Sequence, residues 1–243
     1  MILEVCVDSL ESAKKSKRAG ATQVELISLA SVGGITPSYG LVKKVLDEGI
    51  KVMAMIRPRA AGFFYSDDDK SVMLEDIKAF RDMGVQGIVI GALNEDKTLD
   101  IEFLKKVVEE SRDMEKVFHR AFDVVDDKLN KARELKRIGF DRILTKCGNT
   151  LEEGKKELVE LIKSGDIEII CGGIRENTLD LAYEIGIKNF HISSNKKIVD
   201  RSTENSGIYF GATNSKEDEI YTVADEDYLI KIIEKIKGGN YGL

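Results

Sequence analysis

The feature that constrains this 243-residue chain most is the alternation of short apolar segments with charged segments of helical spacing. Parallel strands joined by helices produce this alternation, because such strands are buried on both faces and the helices cover them. Eight strands are predicted: Ile2–Val7, Gln23–Leu26, Lys51–Ile56, Gly87–Ile90, Lys116–Arg120, Arg142–Thr145, Glu168–Cys171 and Asn189–Ile192. Eight βα units in a chain of this length predict an α/β fold, a single (β/α)8 TIM barrel.

One stretch departs from the repeat. Residues Asn195–Thr222 are mostly polar and include the acidic run Glu217–Glu219, so we predict a long loop before a last helix over Asp225–Lys237. No Pro-, Ser- or charge-rich linker interrupts the repeat before Asn195. We therefore expect one domain over residues 1–243.

Composition excludes several classes of protein. The chain has 37 Lys and Arg against 43 Asp and Glu, a net charge of −6, which argues against nucleic-acid binding. Three cysteines are too few for a disulfide framework and favour a reducing compartment. The sequence has neither a secretory signal pattern nor an apolar run of about 18 residues, so we expect a cytoplasmic protein without a membrane span.

Polar residues at the carboxyl ends of the predicted strands are the candidates for chemistry, because TIM-barrel active sites lie there. Glu25, His119, Asp123 and His191 are the acid–base candidates. Both histidines of the protein lie in predicted strands that are buried on both sides. The alternative is that each is a core histidine, held by a hydrogen bond to a neighbouring acid.

Depth along a strand separates two of the charged candidates. His119 falls near the end of its strand, so we expect it to face the barrel mouth and to titrate near neutral pH. Glu4 lies earlier in its strand and should be enclosed. An enclosed carboxylate needs a partner, and Arg57 or Arg120 is the expected one.

Arg57 and Arg59 flank Pro58, which fixes the backbone between them. Two guanidinium groups at this spacing suit binding of a carboxylate or phosphate, although they can equally neutralise buried acids. The sequence contains no Walker loop, GxGxxG, HExxH, GxSxG or CxxC motif, so we expect no organic cofactor. Further candidate substrate-binding residues are Lys146, Gly172, Gly173 and Ser193.

The cysteines offer a different chemistry. Cys147 and Cys171 end consecutive predicted strands, so their thiols could face one another, and Cys6 lies in the first strand. Thiolates are soft ligands that select Cu(I), which makes Cys6, Cys147 and Cys171 the candidate metal ligands. The alternative is that each is a small buried hydrophobic residue.

The sequence resembles the CutC family of copper homeostasis proteins along nearly its whole length. The resembling blocks are EVCVDS (Glu4–Ser9), VEL (Val24–Leu26), GGITPSYG (Gly33–Gly40), MIRPR (Met55–Arg59), YSDDD (Tyr65–Asp69), FHRAFD (Phe118–Asp123), RILT (Arg142–Thr145) and FHISS (Phe190–Ser194). The resemblance implies a cytoplasmic, homo-oligomeric TIM barrel associated with copper binding or tolerance. It also implies that the barrel mouth is lined by Glu4, Glu25, Arg57, Arg59, His119, Asp123 and His191.

Two positions depart from the family pattern. Ile27 stands where the family often has a cysteine, which removes a thiol partner for Cys6. The segment Cys171–Gly173 is one residue shorter than the usual glycine-rich strand end.

Two functions follow as hypotheses. The resemblance implies copper homeostasis, with a metal ion as the ligand. The residues themselves favour an enzyme for a small carboxylate or phosphate substrate, held by Arg57 and Arg59 while His119 or Glu25 moves a proton. The abundance of arginine, histidine and carboxylate over thiols at the predicted mouth suits the second chemistry.

Overall fold

Eight short strands pair in parallel in chain order, and the last pairs with the first, so the sheet closes into a barrel. The computed structural model describes residues 1–208, 210 and 219–239. The strands are β1 Leu3–Val7, β2 Gln23–Leu26, β3 Val52–Met55, β4 Gly87–Ile90, β5 Glu115–Phe118, β6 Arg142–Thr145, β7 Glu168–Cys171 and β8 Phe190–Ile192. The predicted TIM barrel is confirmed.

Helices follow the strands and cover the outside of the barrel. They are α1 Leu10–Arg18, α2 Tyr39–Asp47, α3 Asp67–Asp82, α4 Ile101–Glu110, α5 Lys128–Ile138, α6 Leu151–Ser164, α7 Leu179–Ile185 and α8 Glu226–Gly238. Ser and Asp side chains cap many of them; Ser9, for example, accepts the N–H of Ser12 at the start of α1. No helix within the described ranges is both long enough and apolar enough to cross a membrane.

Strand alternation divides the buried side chains into two layers. On β1, Leu3, Val5 and Val7 belong to the large cluster between barrel and helices. Glu4 and Cys6 alternate with them and point to the other side. A separate apolar cluster fills the barrel interior: Ile27, Met53, Met55, Val89, Val117, Leu144 and Ile170, with Ile2 and Cys6 packed against it. The interior is therefore a packed core.

The stretch predicted as a long loop, Asn195–Thr222, has structure at both ends. The strands β9 Lys196–Val199 and β10 Ile220–Val223 pair as a two-stranded antiparallel sheet. Positions 209 and 211–218 of this stretch, which include most of its acidic run, lie outside the described residues. After β10, the N–H of Ala224 donates to Ser12 Oγ at 2.9 Å, which fastens the chain to α1.

Candidate functional site

A cavity of about 400 Å³ opens at the carboxyl ends of the strands. Its polar lining comes from β1, β2 and the segments after β3, β5 and β8, and comprises Cys6, Asp8, Glu25, Arg57, His119, Arg120, His191, Ser193, Ser194 and Asn195, with Ser12 of α1. The position agrees with the rule that chemistry in this fold occurs at the strand ends.

Three of these residues form a compact cluster with metal-ligand chemistry. Cys6, Glu25 and His191 each offer one ligand atom, and these atoms all lie within 4.8 Å of one another. Strand register explains the meeting: Cys6 pairs with Glu25 across β1 and β2, and Glu4 pairs with His191 across β1 and β8. We refer to Cys6, Glu25 and His191 as the β1 cluster.

Glu4 holds the imidazole of this cluster in place. Its Oε1 lies 2.8 Å from His191 Nδ1, and its Oε2 accepts a 2.6 Å hydrogen bond from Gln23 Nε2. The prediction that Arg57 or Arg120 pairs with Glu4 was wrong. Strand β1 lies between β2 and β8, so the partners of Glu4 are Gln23 of β2 and His191 of β8. The contact leaves His191 Nε2 facing the cluster, 3.7 Å from Glu25 Oε2.

The electrostatics of the cluster follow from burial and from the two acids. Burial acts to lower the pKa of His191, but the carboxylates of Glu25 and Glu4 outweigh it and raise that pKa. Burial raises the pKa of Glu25, and Glu4 adds to this increase. Burial and the carboxylate of Glu25 also raise the pKa of the Cys6 thiol well above its usual value. A cation at the cluster would favour the deprotonated forms of Glu25 and Cys6.

His119 is buried at the cavity wall, just beyond the end of β5. The predicted strand over Lys116–Arg120 ends earlier, because His119 Nδ1 accepts the N–H of Ala121 at 3.2 Å and caps a 3-10 turn over Arg120–Val124. Burial, with the charge of Arg57, lowers the pKa of His119 to about 3. The expected titration near neutral pH is therefore wrong. Since Nδ1 accepts, the proton of the neutral ring is on Nε2, which has no partner among the described residues.

The two arginines of MIRPR do not act together. Arg57 is buried and donates to the backbone carbonyls of Val32 (2.9 Å), Gly34 (2.8 Å) and Ala61 (2.5 Å). Arg59 does not line the cavity; it is largely exposed and its Nε pairs with Asp69 at 2.9 Å. The structure thus places one guanidinium at the cavity and the other outside it.

Asp123 organises the loop after β6 and does not line the cavity. Its Oδ1 accepts from Thr145 Oγ1 (2.5 Å) and from the N–H groups of Lys146 and Cys147 (3.1 and 3.0 Å). Its Oδ2 accepts from Arg120 Nε at 2.7 Å. Asp123 therefore positions Arg120, which does line the cavity. The sequence predicted neither of these roles.

The remaining predicted binding residues divide between the cavity and its surroundings. Ser193 lines the cavity, whereas Lys146, Gly172 and Gly173 do not. Lys146 Nζ donates to the carbonyl of Asn149 at 2.6 Å, and a Cβ at Gly173 would lie 2.9 Å from Lys146 Cδ. These three residues pack against one another beside β6 and β7.

The family of the chain follows from comparison with known proteins. The model of the CutC family matches residues 1–196. The chain belongs to the CutC family. A CutC family protein of Treponema denticola is 38% identical over 241 residues, covering 96% of this chain and 98% of that protein. The human copper homeostasis protein cutC homolog is 37% identical over 242 residues, covering 97% of this chain and 86% of that protein.

A solved structure agrees with this assignment. CutC of Streptococcus agalactiae superposes with a TM-score of 0.74 at 31% identity, covering 79% of this chain and 98% of that one. In the present CutC family chain, Ile27 is buried and lines the cavity close to the β1 cluster. One thiol, that of Cys6, therefore belongs to the cluster.

The other two predicted metal ligands lie apart from the cluster. Cys147 and Cys171 are buried, and neither belongs to the β1 cluster nor lines the cavity. Burial raises the pKa of the Cys147 thiol to about 12 and raises that of Cys171 further above its usual value. Their burial favours the alternative interpretation, in which each is a small buried hydrophobic residue.

Two charged lining residues, Asp8 and Arg120, received no site role from the sequence. Asp8 is two residues after Cys6 and four after Glu4, so alternation along β1 predicts that the three side chains point to the same side of the sheet. Arg120 directly follows His119, but its direction depends on the 3-10 turn and on Asp123. Local sequence does not determine that contact.

Proposed function

We propose that the protein binds a copper ion at the β1 cluster and acts in copper homeostasis. The observation that carries the proposal is the convergence of a thiol, an imidazole and a carboxylate within 4.8 Å at the open end of the barrel. Relatives that match nearly the whole chain are named copper homeostasis proteins, which supports copper as the ion.

The donor set suits copper in kind. A thiolate from Cys6 is the soft ligand that copper favours, and the imidazole of His191 is a common copper ligand. The Glu4 carboxylate against Nδ1 is the arrangement by which proteins orient a metal-binding histidine, since it leaves Nε2 free to bind. Met55 lines the same cavity and offers a thioether.

The test is a competition between the protein and a chromogenic Cu(I) chelator. Cys6→Ala should lower the affinity for Cu(I) at least about ten-fold, because it removes the soft donor of the cluster. The double variant Cys147→Ala with Cys171→Ala is the matched control, since it removes two buried thiols outside the cluster and should keep wild-type affinity. Unchanged binding in Cys6→Ala, or loss in the double variant, would contradict the proposal.

Two further properties that the family resemblance implies belong to the same proposal. We infer a cytoplasmic location and a homo-oligomeric state. Light scattering after size-exclusion chromatography tests the second, and a mass equal to a single 27.1 kDa chain would refute it. Fractionation of cells that express the protein tests the first.

A further inference from the structure

Arg57 is a buried cation that has no acidic partner among the described residues. Its guanidinium donates to the three loop carbonyls of Val32, Gly34 and Ala61, and none of the ion pairs among the described residues includes it. Its Nε has no hydrogen-bond partner in that part of the chain. A buried charge without a counterion is costly, so a site of this kind favours an anion nearby.

His119 adds an unsatisfied donor to the same cavity. The side chain is 3% exposed, and its Nδ1 is occupied by the N–H of Ala121. The proton on Nε2 therefore has no acceptor among the described residues. A buried donor without an acceptor is rare in native proteins and calls for a partner such as a water, an ion or a ligand.

Arg120 brings a second positive charge to the cavity mouth. Asp123 holds its Nε at 2.7 Å, and the carbonyl of Gly148 accepts from its Nη2 at 3.3 Å, which fixes the side chain. Its charge acts in the lowering direction on the pKa of His119, after burial and Arg57, and opposes the increase that Glu25 and Glu4 cause in the pKa of His191. The charge of Arg120 therefore acts both on His119 and on His191 of the β1 cluster.

We propose that the cavity binds a small oxyanion, the carboxylate or phosphate group of a small molecule, whose oxygen accepts from His119 Nε2 in the field of Arg57 and Arg120. The volume of about 400 Å³ is in the range of small-molecule sites and exceeds what one metal ion needs. A carboxylate or phosphate group carries the negative charge that two guanidinium groups at one cavity favour.

The oxyanion site lies in the same cavity as the β1 cluster but is formed by different residues. His119 and Arg120 follow β5, whereas the cluster residues lie on β1, β2 and β8. The proposal therefore does not rest on copper binding. It supports the hypothesis of an enzyme for a small anionic substrate. Arg120 then takes the substrate-binding role that the sequence predicted for Arg59.

Isothermal titration calorimetry of the metal-free full-length protein tests the site, with malonate and inorganic phosphate as probes at constant ionic strength. We expect saturable binding of at least one probe with a Kd below about 10 mM. Binding of malonate alone assigns the ligand class as carboxylates, and binding of phosphate alone assigns it as phosphates.

Three variants locate the bound probe. Arg120→Gln and His119→Asn should each weaken binding at least about five-fold. Asn keeps an acceptor for the Ala121 N–H and removes the Nε2 donor. Arg59→Gln is the matched control, because this arginine lies outside the cavity, and it should bind as the wild type does.

Three results would overturn the assignment. The first is that neither probe binds the wild-type protein. The second is that Arg59→Gln and Arg120→Gln weaken binding equally, which would indicate nonspecific attraction. The third is wild-type affinity in both Arg120→Gln and His119→Asn. If His119→Asn does not fold, the comparison of Arg120→Gln with Arg59→Gln decides alone.

Discussion

Gly154 lies in the first turns of α6, where alanine would ordinarily be preferred. A Cβ built at this position would lie 1.8 Å from the carbonyl oxygen of Lys146 and 3.1 Å from Cys147 Cβ. The first of these atoms is backbone, so no side-chain rotation relieves the contact. Gly154→Ala therefore forces α6 away from the loop after β6 by about 1.5 Å, if an ordinary contact distance is to be restored.

Two effects of opposite sign decide the result. Alanine gains about 1 kcal/mol over glycine in a helix interior. Overpacking costs about 1–3 kcal/mol and more where the backbone must move. Since the clash is with backbone and is severe, we expect a net loss of about 2 kcal/mol or more. The displaced loop includes the two N–H groups that Asp123 binds, so the position of Arg120 should change as well.

Urea denaturation followed by circular dichroism measures the free energy of unfolding of each variant. Gly40→Ala is the control: Gly40 lies in the first turn of α2, and a Cβ there meets nothing within 4 Å. It should be neutral or more stable by up to about 1 kcal/mol. If Gly154→Ala is as stable as Gly40→Ala, the close approach of α6 to Lys146 does not exist.

The remaining predictions concern charge and burial. Arg57→Gln should lose about 3 kcal/mol of stability, because three carbonyls lose their donor, while Arg59→Gln should change it by less than about 1 kcal/mol; urea denaturation compares the two. The pKa of His119 is about 3 in the folded protein and 6.5 for the free side chain, so the unfolded chain takes up a proton first as pH falls. Stability present above pH 6.5 is thus lost toward pH 3, by up to about 1.4 kcal/mol per pH unit from this group, and His119→Asn should lack that part of the slope. The Cys147 thiol, with a pKa of about 12, should resist alkylation by iodoacetamide at about pH 8 until the protein is denatured; rapid labelling of this residue in the native protein would show that it is not buried.

The barrel was predictable because its strands are buried runs bounded by polar segments. Gln23–Leu26 and Arg142–Thr145 were predicted with the bounds that the structure gives. The fifth strand was predicted too long, since His119 and Arg120 leave the sheet in a turn that a ring nitrogen caps. The strand Lys196–Val199 was missed because it is short and mostly exposed.

The site was predictable as a set of residue types and less so as an arrangement. Glu25 and His191 could be nominated because strand ends meet at the barrel mouth. Partners depend on which strands are adjacent, and the pairing of Glu4 with His191 joins residues 187 positions apart. Arg57 and Arg59 are two residues apart and would point to the same face of an extended strand, but the chain turns after Pro58 and separates their side chains. Register and turn geometry, which arise from the whole barrel, supply the missing information.

The three carbonyls on Arg57 have a consequence for how the cavity receives a ligand. Val32 and Gly34 belong to the connection between β2 and α2, and Ala61 to that between β3 and α3, so one side chain joins two adjacent rim loops. These loops are preorganised, and a ligand that enters beside them need not restrict their backbone further. The entropy cost of association is correspondingly smaller on this side of the mouth, and affinity there depends mainly on direct contacts.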